Sequence, residues 1–302
     1  MQVAAKFHGV IPPVATLFDE NGRFDAVNMG RLIDYLIDNG VDGLFFLGSG
    51  GEFSELSPER RMEIAEFAVR HVAGRVPVLI GTGGGGAEQV IRLSEHSRQI
   101  GADAVVVINP YYFSLSEANL FRYYAEVARA VDLPVLLYNY PARTGQDLAP
   151  SFVAKLAETF PNIVGIKETV FDFGHIREMI AAVHAVRPDF AVFSGFDDQF
   201  LNTLLCGGAG AISASANFAP ELEVGLYRAF RRGDAEEMIR WQRKLIHVAA
   251  VYSLVSPFVG AVKEAIRIRA LPGISTYSVS GPMDGETRER LERMLERIGA
   301  DW

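Results

Sequence analysis

The sequence predicts an α/β protein built as a (β/α)8 TIM barrel with a C-terminal helical extension. Three observations carry that prediction. Eight short β-rich runs recur along the chain, and most are followed by a longer segment with helical periodicity, the pattern of parallel strands joined by crossover helices. After Ala219 no further strand-like run occurs, and the chain turns to long amphipathic stretches. The length of 302 residues, with 49% hydrophobic and 22% charged residues, is enough to bury one large core. The expected organisation is a barrel over residues 1–218 and a helical extension over 219–302, packed together as one structural unit.

In chain order the strand-like runs are VIPPVATL, GLFFLG, VPVLIG, AVVVINP, PVLLYN, IVGIK, AVFSG and GAISAS. Helix starts carry capping chemistry: Ser57 precedes Pro58 and Glu59, and Asp234 stands three residues before Glu237. In the tail, AEEMIRWQRKLIHVAAVY reads as an amphipathic helix. The last segment sets Leu291, Met294, Leu295, Ile298 and Trp302 at helical spacing, an apolar face expected to pack on the barrel or on a partner subunit.

Composition excludes several classes of function. A net charge of -8 and a pI near 5.4 disfavour nucleic acid and anionic membranes, which reward a basic patch. The single cysteine, Cys206, lies in the apolar run NTLLCGG and is expected to be a buried structural thiol; it leaves no intramolecular disulfide. MQVAAKFHGV lacks a long apolar stretch, and later apolar runs are broken well before the roughly 20 residues a membrane span needs, so a cytoplasmic protein is expected. GTGGGG, Gly81 to Gly86, matches the dinucleotide pattern G-x-G-x-x-G, but the next strand, AVVVIN, ends in Asn109 where a ribose-binding acid is needed. A flexible loop on a barrel rim requires the same glycines. The six histidines form neither H-x-H nor H-E-x-x-H, and no G-x-S-x-G elbow occurs, so neither a metal site nor a serine hydrolase is supported.

Chemistry is most legible at strand ends. In NIVGIKETV, alternation sets Ile163, Gly165 and Lys167 on one face and Val164 and Ile166 on the other. With the β-branched pair under the helices, Lys167 points into the barrel at the carboxyl end of its strand. Desolvation there lowers the pKa of an amine and frees it to attack a carbonyl. The competing reading is a structural lysine ion-paired with Glu168. Tyr138, ending the preceding strand in LYNYPARTG, is close enough to pass protons to an intermediate on Lys167. LGSGGEFS supplies Ser49 and the closely spaced N–H groups of Gly50 and Gly51, which can hold a carboxylate. NPYYF adds Tyr111 and Tyr112.

These motifs, with GVIPPVATLF, GSGGEFSELSPERR and GAISASANFAPE, make the chain resemble the pyruvate-dependent aldolases and lyases typified by dihydrodipicolinate synthase and N-acetylneuraminate lyase. Within that family the wording is most similar to the bacterial 2-keto-3-deoxygluconate aldolases. The resemblance implies a (β/α) barrel assembled as a homotetramer, a dimer of dimers, with no metal, nucleotide or other cofactor beyond the covalent imine. It implies that Lys167 forms a Schiff base with pyruvate or a 2-keto acid, that Tyr138 is the acid/base, and that Ser49 relays protons between Tyr138 and a neighbouring subunit's tyrosine, here Tyr112.

Substrate contacts are implied for Gly50, Gly51, Arg143, Gly195, Phe196, Asp197, Ile212 and Ser213. Gly50 departs from the family's usual threonine and leaves only N–H donors for the carboxylate. Asp197 and Asp198 could accept hydrogen bonds from a polyhydroxylated chain or could cap the helix beginning QFLNTLL. Ala214 stands where the sialic-acid lyases carry a serine. Arg143 occupies a slot that dihydrodipicolinate synthases fill with arginine. The expected activity is reversible cleavage of a 2-keto-3-deoxy sugar acid to pyruvate and an aldehyde. Dihydrodipicolinate synthesis and a 2-keto-3-deoxy acid dehydratase are alternatives within the class; a nucleotide-binding reductase and a non-catalytic ligand-binding barrel lie outside it.

Overall fold

The protein is described from a computed structural model, covering residues 6–278 and 281–298. These residues form eight strands: β1 (Gly9–Val10), β2 (Leu44–Phe46), β3 (Val78–Gly81), β4 (Ala104–Ile108), β5 (Val135–Asn139), β6 (Ile163–Glu168), β7 (Ala191–Ser194) and β8 (Gly210–Ala211). The helices of the first half are α1 (Ala26–Asp38), α2 (Pro58–Val72), α3 (Ala87–Gln99), α4 (Glu117–Ala130) and the short α5 (Pro141–Thr144). They are followed by α6 (Pro150–Thr159), α7 (Phe173–Val186) and α8 (Phe200–Leu205), then by α9 (Pro220–Arg232), α10 (Ala235–Ala249), α11 (Val259–Arg269) and α12 (Gly285–Ile298). Both expected caps form, with Ser57 accepting from the Arg60 N–H and Asp234 from the Glu237 N–H.

All strand pairs are parallel, in the order β1-β8-β7-β6-β5-β4-β3-β2. The two ends of that sheet meet where Pro13 bridges Phe45: the Phe45 N–H donates to the Pro12 carbonyl at 3.0 Å and the Val14 N–H to the Phe45 carbonyl at 2.8 Å. Two adjacent prolines lack N–H groups, which is why the run VIPPVATL yields a two-residue strand and an isolated bridge instead of a full ladder. Asn217 fastens the seam from the other side, donating to the Pro13 carbonyl at 3.1 Å and accepting from the Ala15 N–H at 3.0 Å.

Alternation sorts the strand residues into layers. Val105, Val107, Leu137, Ile166 and Val192 pack outward with residues of α4, α6 and α7, whereas Val106, Ile108, Leu136, Tyr138 and Phe193 belong to the other buried layer. At the start of β6 simple alternation fails. Ile163 lies in the outer layer and Val164 in the inner one, the reverse of the expected placement. The register shows the cause: Val135 pairs with Ile163 and Leu136 with Gly165, so Val164 is an extra residue in a bulge. Downstream of the bulge the phase is restored, and Lys167 pairs with Tyr138 across the sheet. Gly165 is required there because a Cβ would come 2.6 Å from the Ala191 carbonyl oxygen of β7.

From α9 onward the regular elements are helical, and α12 packs on α10 and α11. Its buried residues are Leu291, Leu295 and Ile298, with Met294 partly buried; Trp302 lies outside the described residues. No helix among the described residues is long and apolar enough to cross a membrane. Cys206 corrects an expectation: the thiol is exposed. It forms the C-cap of the short α8, whose inward positions are taken by Phe200, Thr203 and Leu204.

Candidate active site at the carboxyl ends of the strands

A cavity of about 540 Å³ opens at the carboxyl ends of the strands. Ser49 and Gly50 line it after β2, Tyr138 from β5 with Tyr140 and Arg143 beyond it, Lys167 from β6, Gly195 and Phe196 after β7, and Ile212 after β8. Lys167 is 4% exposed, with Nζ 4.5 Å from the Tyr138 ring centre and 5.5 Å from that of Phe45. Burial drives its pKa down to about 7, against an opposing pull from the Asp197 carboxylate. Burial also raises the Tyr138 phenol, while its contact with Ser49 favours the phenolate; the two hydroxyl oxygens are 3.3 Å apart. An amine that is uncharged in a large share of molecules and a protonated phenol thus stand side by side at neutral pH.

The turn after β2 is under backbone strain. Leu47 (φ 59°) and Glu52 (φ 57°) both adopt the left-handed conformation, on either side of a 3-10 turn at Ser49–Gly51. Within it the Gly51 N–H donates to the Gly48 carbonyl at 3.0 Å and the Glu52 N–H to that of Ser49 at 3.1 Å. Ser49 and Gly50 of this turn line the cavity wall. A Cβ at Gly50 would approach the Pro13 carbonyl oxygen to 3.2 Å, so a larger residue there presses on the barrel seam. The strained Glu52 is anchored in the interior by an ion pair with Lys263 of α11, a residue 211 positions away, and by the Ser278 hydroxyl at 2.7 Å. Lys263 also donates to the Tyr277 carbonyl at 2.8 Å.

Not every residue expected at the site reaches the cavity. Gly51 lies behind its wall, where a Cβ would sit 3.2 Å from Thr16 Oγ1. Ser213 is fully buried off the lining. Asp197 is also fully buried, lies off the lining and accepts a hydrogen bond from Ser215; Asp198, next in the 3-10 turn Asp197–Gln199, lines the cavity instead. Neither acid caps α8, whose N-cap residue is Gln199. Tyr112 is 84% exposed, packed edge-to-face on Phe113 and away from the cavity. Its neighbour Tyr111 lines an adjoining cavity of about 260 Å³ together with Ser49 and Arg143. Glu168 does not pair with Lys167: it faces outward, accepting from Asn139 Nδ2 at 3.1 Å and lying 3.3 Å from His175 Nδ1.

Other lining residues went unread in the sequence. Thr169, two positions beyond Lys167, follows from alternation alone. Phe171 and Phe196 stack at 5.1 Å across the mouth. Tyr252, Ser253, Leu254 and Phe258 arrive from the helical tail, with no local motif to announce them. Among the described residues no group of three His, Cys, Asp or Glu side chains could hold a metal ion.

Fold and site together define a (β/α)8-barrel lyase with its reactive groups at the strand ends. The chain belongs to the dihydrodipicolinate synthetase family, whose model matches residues 6–298. It is 50% identical over 300 residues to the Escherichia coli K12 protein named "Putative 2-dehydro-3-deoxy-D-gluconate aldolase YagE", covering 99% of each chain. It is 48% identical over 296 residues to that organism's "Probable 2-dehydro-3-deoxy-D-pentonate aldolase YjhH", covering 97% of this chain and 98% of the other. The crystal structure of YagE in complex with pyruvate superposes with a TM-score of 0.95 at 50% identity, covering 97% of this chain and 98% of that one.

The buried amine carries a stability cost with a definite pH dependence. Between about pH 7 and 10.5 an unfolded lysine holds a proton that the folded Lys167 lacks, so its contribution to stability is unfavourable at neutral pH and improves as pH rises through that window. Lys167→Met should therefore melt higher than the native protein at pH 7, by a few kcal/mol of unfolding free energy as an order of magnitude, with the gap narrowing towards pH 10. Calorimetry at the two pH values checks this; an unchanged or lower melting temperature at pH 7 would show that the lysine is not desolvated.

Proposed function

We propose that the protein is a pyruvate-dependent aldolase that cleaves 2-keto-3-deoxy sugar acids through an imine on Lys167. The observation that carries this reading is the desolvated Lys167 amine beside the Tyr138 phenol, on paired positions of adjacent strands. The names of YagE and YjhH support the substrate class, and the pyruvate bound to YagE supports the product.

The neutral amine attacks the ketone carbon, and Tyr138 gives the ketone oxygen a proton to form a carbinolamine; loss of water leaves a protonated imine. Breaking the bond between carbons 3 and 4 sends its electron pair into that imine. The proton of the carbon-4 hydroxyl passes to the Tyr138 oxygen, the aldehyde departs, and an enamine remains. Protonation at carbon 3 and hydrolysis release pyruvate and restore the amine. The imine is itself the electron sink, so this cycle needs no further cofactor. The substrate carboxylate takes the N–H donors of Ser49 and Gly50, and the hydroxylated tail runs toward Asp198, Ser253 and Arg143.

In this reading Tyr112, exposed beyond the rim, joins the Ser49–Tyr138 relay of a second copy within a cytoplasmic homotetramer. Mixing Tyr112→Phe and Tyr138→Phe subunits should then regenerate some intact sites and restore turnover. Mixed subunits no more active than either parent would count against a shared relay.

Arg143 favours a second reading, dihydrodipicolinate synthesis, because a guanidinium at the cavity wall suits an incoming carboxylate. Pyruvate release from 2-keto-3-deoxygluconate separates the two. In sugar-acid cleavage Arg143 meets only hydroxyls, and Arg143→Ala should cost about tenfold or less, since a neutral hydrogen bond contributes about 1 kcal/mol net. Efficient condensation of pyruvate with aspartate semialdehyde, abolished by Arg143→Ala, would transfer the assignment to the synthase.

A further inference from the structure

Off the cavity lining two buried acidic side chains meet with no cation between them. Asp197, in the turn after β7, and Glu223, in the first turn of α9, are both 0% exposed, as is Ser215 between them. Ser215 Oγ contacts Asp197 Oδ1 and lies 3.0 Å from Glu223 Oε1. A serine hydroxyl owns one hydrogen, and two ionised carboxylates are acceptors only, so a fully ionised pair would satisfy one of these contacts and leave two like charges buried together. Both contacts are satisfied when one carboxyl is protonated and donates to Oγ while Oγ donates to the other. Beyond the serine's own hydrogen, the triad then holds one carboxyl proton and one negative charge.

We propose that Asp197 and Glu223 share a single proton across Ser215 and present one fixed negative charge to Lys167, which makes both acids positioning residues for the cation that forms on the lysine. The inference rests on the Schiff-base reading of Lys167. A protonated imine in a desolvated barrel needs a counter-charge, and a carboxylate fixed before the reaction supplies it without reorganisation. Burial raises both acids, and Asp197 is the one whose carboxylate acts on Lys167, so the charge that matters to the lysine is the one on Asp197. The remaining groups around the pair are weak acids or already paired. Tyr252, in the 3-10 turn Ala250–Ser253, turns its hydroxyl to Asp197, Ser213, just beyond β8, turns its own to Glu223, and the two carboxyls also interact directly. From α10 the packed partner is the uncharged Gln242, which bonds the Asp198 carbonyl. Glu221 of α9 is paired with Arg269, and Asp198 and Arg143 open on the cavity.

The test reads the lysine directly. The rate at which fluorodinitrobenzene labels Lys167, resolved by peptide mass spectrometry across pH, gives its titration midpoint without any substrate. Asp197→Asn moves the remaining charge away and should lower that midpoint by about one unit, the usual effect of losing a nearby opposite charge. Glu223→Gln confines the charge to Asp197 and should leave the midpoint in place or raise it. Equal shifts in the two variants, or none in either, would overturn the shared charge. Infrared spectra of the unmodified protein decide the matter if Asp197→Asn does not fold: a protonated carboxyl band should persist at pH 7 and vanish in Glu223→Gln, and its absence at pH 7 would also refute the proposal. Failure to release pyruvate from a 2-keto-3-deoxy sugar acid would remove the functional reading while leaving the labelling result intact.

Discussion

The structure is organised around keeping one amine dry. A lysine ammonium placed inside a barrel loses its hydration, and the aromatic faces of Tyr138 and Phe45 replace little of it, so the proton is given up near neutrality. That outcome needs Lys167 to point inward, at the carboxyl end, beside Tyr138. With Ile163 in the outer layer, strict alternation would turn Lys167 outward as well; the extra residue at Val164 shifts the phase and brings the lysine inward. Gly165 lets β6 and β7 close on each other at that irregular point, where any side chain would strike the Ala191 carbonyl.

The helical tail is part of the site. Lys263 of α11 neutralises Glu52, and Glu52 is one of the two left-handed residues that shape the turn carrying Ser49 and Gly50. Breaking a buried pair by removing one partner costs about 3–5 kcal/mol, so the pair ties the stability of α11 to the geometry of the turn. Tyr252 and Phe258 complete the cavity wall from the same region, and Glu223 reaches Asp197 from the start of α9. The barrel supplies the reactive groups, and the helices after it set their electrostatic surroundings.

Much of this was legible in the sequence because periodicity and strand-end position are local properties. Eight strand runs, two helix caps, the inward Lys167 and its neighbour Tyr138 all follow from residues read a few positions at a time. What was not legible depends on contacts between distant segments. The bulge at Val164 shows only in the register of β6 against β5, the buried Asp197 meets Ser215 and Glu223 from beyond β8, and the Glu52–Lys263 pair joins residues 211 apart. Cys206 misled for a related reason: apolar neighbours do not reveal which side of a six-residue helix faces inward. The motifs that resemble the pyruvate-dependent aldolases located the cavity, yet they did not separate residues that line it from those that support it.

The central claim is that Lys167 is the amine that becomes covalently bound to substrate. Treating the protein with pyruvate and borohydride, then mapping the reduced adduct by peptide mass spectrometry, tests it most directly. The account predicts one adduct per chain, located on Lys167 and absent from Lys167→Met. An adduct on another lysine, or none with any 2-keto acid, would contradict it.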